Sequence, residues 1–196
     1  KLVPVSELDS LFENGAGFAG FAAGEIGQGP HSPDIEVIPD PSTLRIVPFQ
    51  PGLAHLIGDA RVEGGEWSFC PRTILRRQLE RARELGYVFK IGFEAEFMLV
   101  DFDDDGQLVV ADRQDNWSKP CYDVKGLTRK YDFVTEMSKY VTQLGWENYA
   151  VDHEDANGQF ECNVMFADAM ETADRAVFFR YMTETVAQQH GAIATF

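Results

Sequence analysis

Two glutamates interrupt an otherwise apolar, β-rich stretch of this chain. Residues 87–100 are dominated by aromatic and aliphatic side chains, and Glu94 and Glu96 are the acidic residues among them. Such a run predicts a central β-strand. Because side chains two residues apart share one face of a strand, the two glutamates are expected on one face and an apolar anchor on the other. The residues of that apolar face are Phe93, Ala95 and Phe97.

A second acidic pair flanks a turn signal further along the chain. Asn157-Gly158 favours a two-residue hairpin loop, because a type I′ turn needs positive φ at both central residues. With these two residues in the loop, Glu154 is expected directly opposite Glu161. Like charges opposite each other destabilise a strand pair, and burial raises the pKa of at least one carboxyl group.

A cation between the paired glutamates would remove this repulsion, so the sequence predicts a divalent metal site. Ligands that are all oxygen atoms suit a hard ion such as Mg²⁺ or Mn²⁺. The expected metal ligands are Glu94, Glu96, Glu154 and Glu161.

The same acidic residues have other interpretations. Glu-x-Glu on a strand is also typical of the solvated face of a half-exposed sheet. Two carboxylates could instead flank a sugar bond as the acid and base of a glycoside hydrolase, although that leaves the other two unexplained. His153 precedes Glu154 on the same strand and therefore points to the opposite face, which predicts a structural or surface histidine rather than a ligand.

Composition bounds the class of protein. The 196 residues, 44% of them hydrophobic, can bury one substantial core or two small ones. The net charge of −15 argues against nucleic acid or an anionic membrane as a partner, since both require clustered Lys and Arg. Three cysteines without CxxC spacing, and the absence of a signal peptide or an apolar run of membrane-spanning length, predict a cytoplasmic protein.

Glycine and proline punctuation divides the chain into two expected domains, over residues 1–66 and 67–196. Short apolar segments in the first indicate a small β-rich domain. Apolar residues at helical spacing predict helices in the second, so the expected fold class is α+β. The predicted helices cover residues 71–85, 128–144 and 169–189, and residues 101–119 are expected to form a loop or an irregular hairpin.

Several of these motifs resemble the glutamine synthetase family. Residues 92–97 are similar to its Gly-x-Glu-x-Glu-Phe strand, and residues 154–161 resemble its second metal-binding hairpin. Residues 15–21 and 119–123 resemble the bacterial type III branch, which includes the γ-glutamylmethylamide synthetases. Further similar segments are residues 39–43, 70–72, 173–174 and 194–196.

The resemblance implies a partial β-grasp amino-terminal domain followed by part of a catalytic α/β domain with an antiparallel sheet. It implies an ATP-dependent glutamate–ammonia ligase of nitrogen metabolism, which acts through a γ-glutamyl phosphate intermediate. The alternatives are a glutamate–methylamine ligase and a non-catalytic member of the same fold. The implied partners are glutamate, ATP, ammonia or a small amine, and further copies of the chain in a ring-shaped homo-oligomer.

The resemblance also assigns roles to residues. Glu94 would ligate the metal on the ATP side, and the other three glutamates would hold the metal beside the substrate glutamate. Glu154 and Tyr122 would be the catalytic residues that form the ammonium pocket, and Phe166 would stack on adenine. For both aromatic residues, a place in a hydrophobic core is the alternative.

Two departures from the family pattern bear on activity. Asn14 stands where many relatives have an aspartate that helps to deprotonate ammonium, and an amide cannot take up a proton at neutral pH. The family's remaining metal-binding His and Glu, and its substrate-binding arginines, follow the segment that matches residues 194–196. This chain by itself is therefore expected to be inactive.

Overall fold

The computed structural model describes residues 1–22, 24, 26 and 28–196. They form two compact units, the first of residues 1–47 and 52–89 and the second of residues 48–51 and 90–196. The domain boundary expected after residue 66 stays a prediction. No helix in the described part of the chain is both long enough and apolar enough to cross a bilayer.

The first unit is built on an antiparallel sheet with strand order β1-β2-β5-β6, beside a separate β3–β4 ladder. Short 3₁₀ helices cover Val5–Glu7, Gly20–Ala22 and Pro41–Thr43. The other elements are α1 (Leu8–Asn14), β1 (Ala16–Phe18), β2 (Ile35–Pro39), β3 (Arg45–Ile46), β4 (Ala54–His55), β5 (Gly58–Val62), β6 (Gly65–Glu66) and α2 (Pro71–Glu84).

Helix α2 begins where the sequence predicts, because Pro71 fits the first helical turn, where its missing N–H leaves no hydrogen bond unmade. Its second residue, Arg72, ties the helix to the sheet of the same unit. The Arg72 guanidinium lies 2.6 Å from Oδ2 of Asp40 and 3.0 Å from Oδ1 of Asp59. The Arg72 side chain is only 9% exposed, and the side chains of Asp40 and Asp59 are 29% and 28% exposed.

Replacing Arg72 by alanine is expected to lower the free energy of unfolding by about 2 kcal/mol, because Asp40 loses its cationic partner and Asp59 keeps its pair with Arg76 but loses the one with Arg72. Arg77 is the matched control, since its ion pair with Glu66 is about half exposed. Arg77→Ala is expected to cost less than about 0.5 kcal/mol. Urea unfolding measures both, and equal losses would contradict a structural role for the Arg72 cluster.

The second unit contains an antiparallel sheet with strand order β10-β11-β8-β13, in which β9 also pairs with β8, and a separate β7–β12 ladder. The mixed helices and antiparallel sheets agree with the α+β prediction. The elements are β7 (Lys90–Ile91), β8 (Glu94–Phe102), β9 (Leu108–Val110), α3 (Val124–Arg129), α4 (Tyr131–Gln143), β10 (Asn148–His153), β11 (Gln159–Val164), β12 (Ala167–Asp168), α5 (Ala169–Gln189) and β13 (Ile193–Thr195).

The predicted strand over residues 87–100 is wrong in its first part. Its first three residues lie outside any strand, and Lys90–Ile91 form β7, which pairs with β12 rather than with the main sheet. The Thr172 hydroxyl donates to the Ile91 carbonyl at 2.8 Å and so holds β7 against α5. The predicted helix over 128–144 is also divided, because Lys130 separates α3 from α4. The prediction for α5 is confirmed at both ends.

One face of strand β8 lies on the core of the second unit. Ala95, Phe97 and Leu99 are buried, as the alternation of the sequence predicts. Phe97 is the centre of an aromatic cluster that joins β8 to α4, α5, β11 and Phe196. Its ring contacts those of Phe133, Phe160, Phe179 and Phe196, with centroids 5.8 to 6.3 Å away. The core therefore anchors the strand and leaves its other face available for polar residues.

Candidate active site

The face of the sheet opposite the core is acidic across three neighbouring strands. On β8 and β11, Glu96 lies opposite Glu161 and Glu94 lies opposite Asn163. On β10, Asp152 lies opposite Glu161. Residues directly opposite each other in antiparallel strands point to the same face. We call these five residues the acidic face.

The hairpin between β10 and β11 differs from its prediction. Asn157 and Gly158 are the central residues of a turn, since the Gln159 amide donates to the Ala156 carbonyl at 3.0 Å. Gly158 has a φ of 75°, but Asn157 does not have positive φ, so the turn is not type I′. The Glu154 amide donates to the Gln159 carbonyl, and the predicted pairing of Glu154 opposite Glu161 is wrong.

The loop between β10 and β11 is longer than predicted, and the cause lies outside the hairpin. The Asp115 carboxylate accepts hydrogen bonds from the Gly158 amide at 2.6 Å and from the Asn157 side chain at 3.1 Å. The Gln159 side chain also accepts from the Ala156 amide at 2.8 Å. These bonds favour a loop with two more residues than a tight hairpin has. Local turn preference is overridden by a side chain about forty residues away in the sequence.

Glu154 and Glu161 meet in spite of the changed register. Their side chains share a hydrogen bond, and Glu94 lies close enough to repel Glu161. Burial, the bond to Glu154 and the charges of Glu154 and Glu94 raise the pKa of Glu161 to about 7, although a hydrogen bond to Asn163 opposes the shift. The sequence prediction that burial raises the pKa of one of these carboxyl groups is confirmed.

The acidic face provides suitable donors for a divalent cation. In the described part of the chain, no Lys or Arg forms an ion pair with any of the four glutamates. Asn163 is buried, and its side-chain oxygen has no hydrogen-bond partner. Hard cations prefer such carboxylate and amide oxygens. Among residues 1–22, 24, 26 and 28–196, no group of three or more His, Cys, Asp or Glu side chains stands close enough together to hold a metal ion.

Tyr122 lies beside Glu154 at the edge of the acidic face. Its backbone has a φ of 62°, and its amide donates to the His153 carbonyl at 2.8 Å. The Cys121 thiol donates to the Glu154 carboxylate at 3.8 Å. The charges of Cys121 and Glu154 raise the pKa of the Tyr122 phenol. Tyr122 is 73% exposed, so the alternative of a core aromatic is wrong.

Phe166 follows β11 and is 59% exposed, so it is not a core residue either. A planar apolar ring held at the surface next to a strand end is suited to stacking on a flat ligand. Its position near Gly92, which precedes the glutamates of β8, puts it on the side of Glu94.

His153 is a structural residue, as the sequence predicts. It is 1% exposed, its Nε2 donates to Asp115 Oδ2 at 2.6 Å, and its ring packs against Phe160. In the first unit, Asn14 ends α1, and its side-chain amide donates to the Ser10 hydroxyl at 3.3 Å.

Two residues of the acidic face were missed by sequence reasoning. Asn163 lies two positions after Glu161, and Asp152 two positions before Glu154, so period-two alternation along each strand was the available signal. Asp115 carried no such signal, because its partners are distant in sequence and only the folded chain brings them together.

The chain is similar in sequence and in fold to known proteins. The family model described as the glutamine synthetase catalytic domain matches residues 68–196. The glutamine synthetase of Rhizobium leguminosarum bv. phaseoli is 39% identical over 196 residues, and the alignment covers 100% of this chain and 44% of the relative. The glutamate–methylamine ligase of Methyloversatilis universalis is 40% identical over 197 residues, with the same two coverages.

A solved GmaS complex with ADP has a TM-score of 0.93 and 43% sequence identity, covering 100% of this chain and 45% of that one. This chain thus spans less than half of the length of the relatives it matches. The family model covers well over half of the chain, and the antiparallel sheet agrees with it. The chain belongs to the glutamine synthetase family.

Proposed function

We propose that the protein ligates glutamate to ammonia or a small amine at the expense of ATP, through a γ-glutamyl phosphate. The observation that carries this proposal is the acidic face together with Glu154, because Glu161 lies near both Glu154 and Glu94 and no Lys or Arg of the described residues forms an ion pair with these glutamates. An ionised carboxylate at Glu161 is costly for folding alone and useful for phosphoryl transfer. Because the chain belongs to the glutamine synthetase family, the paired carboxylates need no interpretation as the acid and base of a glycoside hydrolase.

A pair of divalent cations, Mg²⁺ or Mn²⁺, would neutralise the charge that develops on the transferred phosphoryl group. Glu94 is proposed to bind the cation on the nucleotide side. Glu96, Glu154 and Glu161 are proposed to bind the cation beside the substrate glutamate. Phe166, exposed on the Glu94 side, is proposed to stack on the adenine ring.

Glu154 and Tyr122 are proposed to form the pocket for the incoming amine. A carboxylate favours an ammonium ion before it loses a proton, and the exposed ring of Tyr122 offers an aromatic face to the same cation. The relatives include ligases of both kinds, so ammonia and methylamine are both proposed substrates. A ring-shaped homo-oligomer and a cytoplasmic location are further proposals that rest on family membership.

The test measures ATP-dependent phosphate release by the protein expressed from its complete gene. Glutamate is supplied with ammonia in one series and with methylamine in another, and release with at least one amine is expected. Glu154→Gln is expected to lower kcat/KM by at least about a hundredfold, since it removes a metal ligand and the charge that binds ammonium. Asp104→Asn, an exposed residue of the β8–β9 loop, is the control for surface charge and is expected to change nothing.

A non-catalytic member of the fold is the second candidate function, and Asn14 is the observation that favours it. Phosphate release with neither amine would contradict the ligase proposal. If titration of Mn²⁺ into the same protein also gave no heat, the non-catalytic function would replace it.

A further inference from the structure

A buried carboxylate outside the acidic face holds the loop that carries Glu154. The Asp115 side chain is 1% exposed and accepts three hydrogen bonds. They come from His153 Nε2 at 2.6 Å, from the Gly158 amide at 2.6 Å and from Asn157 Nδ2 at 3.1 Å. His153 precedes residues 154–158 and Gly158 ends them, so one carboxylate joins the two ends of this loop.

His153 extends the same network to the second residue of the proposed amine pocket. Its Nδ1 lies 3.0 Å from the Glu154 carbonyl oxygen. Its own carbonyl accepts from the Tyr122 amide at 2.8 Å, where Tyr122 has the uncommon positive φ. A displacement of His153 would therefore move the backbones of Glu154 and Tyr122 together.

The imidazole ring of His153 has almost no room to move. Helix α3 places Gly126 against it, and a Cβ at Gly126 would lie 2.5 Å from Cδ2 and 2.9 Å from Nε2 of the ring. Phe160 covers another side of the ring, at 5.2 Å between centroids. On the far side of Asp115, the Arg129 guanidinium lies 3.9 Å from Oδ1 and pairs mainly with Asp112.

We propose that Asp115 and His153 are positioning residues that set the separation of Glu154 and Tyr122, and thereby the affinity of the active site for its amine. This inference rests on the proposed function. Neither residue lies on the acidic face, so they act through the backbone of the residues that touch the substrate. Small displacements of the groups at a reacting centre lower the reaction rate strongly, so the network of Asp115 and His153 can affect activity without touching the substrate.

Asp115→Asn tests the proposal, and Asp112→Asn is its matched control. Both carboxylates lie beside Arg129, but only Asp115 reaches the 154–158 loop. In Asp115→Asn, hydrogen exchange at the Gly158 and Tyr122 amides is expected to accelerate about tenfold, because a charge-assisted bond is lost. The KM for the amine is expected to rise about tenfold, with the KM for ATP unchanged. Asp112→Asn is expected to alter neither.

Gly126→Ala provides an independent variant, which keeps every hydrogen-bonding group. Alanine is the better helix former, so the substitution favours α3 while its methyl group displaces the His153 ring. The same rise in the KM for the amine is expected.

Equal exchange rates in Asp115→Asn and wild type, or equal acceleration in Asp112→Asn, would refute the positioning role. Amide hydrogen exchange is measured without turnover of substrate. An inactive wild-type protein would therefore refute the proposed ligase function, while the exchange rates would still show whether Asp115 holds the loop.

Discussion

Replacing Glu161 by glutamine is expected to stabilise the metal-free protein at pH 8 and to weaken its binding of Mn²⁺. The pKa of Glu161 rises from an ordinary value of 4.5 to about 7 in the fold. Between these values the folded state holds more protons than the unfolded state, so the contribution of Glu161 to stability falls as the pH rises from about 4.5 to about 7. Above that range, the ionised group costs the fold about 3 kcal/mol.

Urea unfolding in EDTA at pH 5 and pH 8 measures this effect. Wild type is expected to lose more stability than Glu161→Gln between the two pH values, by about 2 kcal/mol. Glu184→Gln serves as the control, since Glu184 forms only an exposed pair with Arg180 on α5. A pH dependence that persists unchanged in Glu161→Gln would contradict the assignment.

The same variant is expected to lose at least about a hundredfold in affinity for Mn²⁺, measured by the free-ion signal in electron paramagnetic resonance. Glutamine keeps the shape of the side chain and one oxygen donor but lacks the charge that attracts the cation. A variant that is more stable without metal and weaker in binding it would indicate that Glu161 is retained for chemistry rather than for folding. Unchanged affinity would remove Glu161 from the proposed ligands.

Phe97→Ala is expected to cost about 4 kcal/mol, the largest loss of stability among these predictions. The ring is 2% exposed and contacts four other rings, so its removal leaves a cavity that helices and strands cannot fill without moving. Because Glu96 neighbours Phe97 on β8, the acidic face is expected to weaken in metal affinity as well. Urea unfolding, with Mn²⁺ binding in parallel, measures both.

Phe102→Ala is the matched control on the same strand, because Phe102 lies at the end of β8 and is 56% exposed. Its loss is expected to cost less than about 1 kcal/mol. Similar losses for the two variants would show that the aromatic cluster does not anchor β8.

The two faces of β8 explain how such an acidic surface is tolerated. Phe97 and its neighbours are buried on one side, and this burial holds Glu94 and Glu96 in place on the other. Repulsion among the glutamates is therefore opposed by the core, since no Lys or Arg of the described residues pairs with them. The repulsion among the carboxylates is therefore confined to the face of the sheet where a bound cation would relieve it.

Patterns within single elements could be predicted from the sequence. Alternation along β8 placed the glutamates on one face, and helical spacing predicted α5 from its first residue to its last, because both depend on local geometry that repeats every two or 3.6 residues. The pairing of Glu154 with Glu161 failed because it assumed that Asn157-Gly158 alone decides the loop.

The sequence by itself determined the fold class, the acidic residue types and the resemblance to a ligase family, since these follow from local pattern and motif. Only the tertiary structure decided the register of the β10–β11 hairpin, the proximity of Glu161 to Glu94 and Glu154, and the hydrogen bonds of Asp115 to the 154–158 loop. The physical reason is that these features depend on hydrogen bonds and charges between segments far apart in the chain. Such partners become neighbours only when the core has formed.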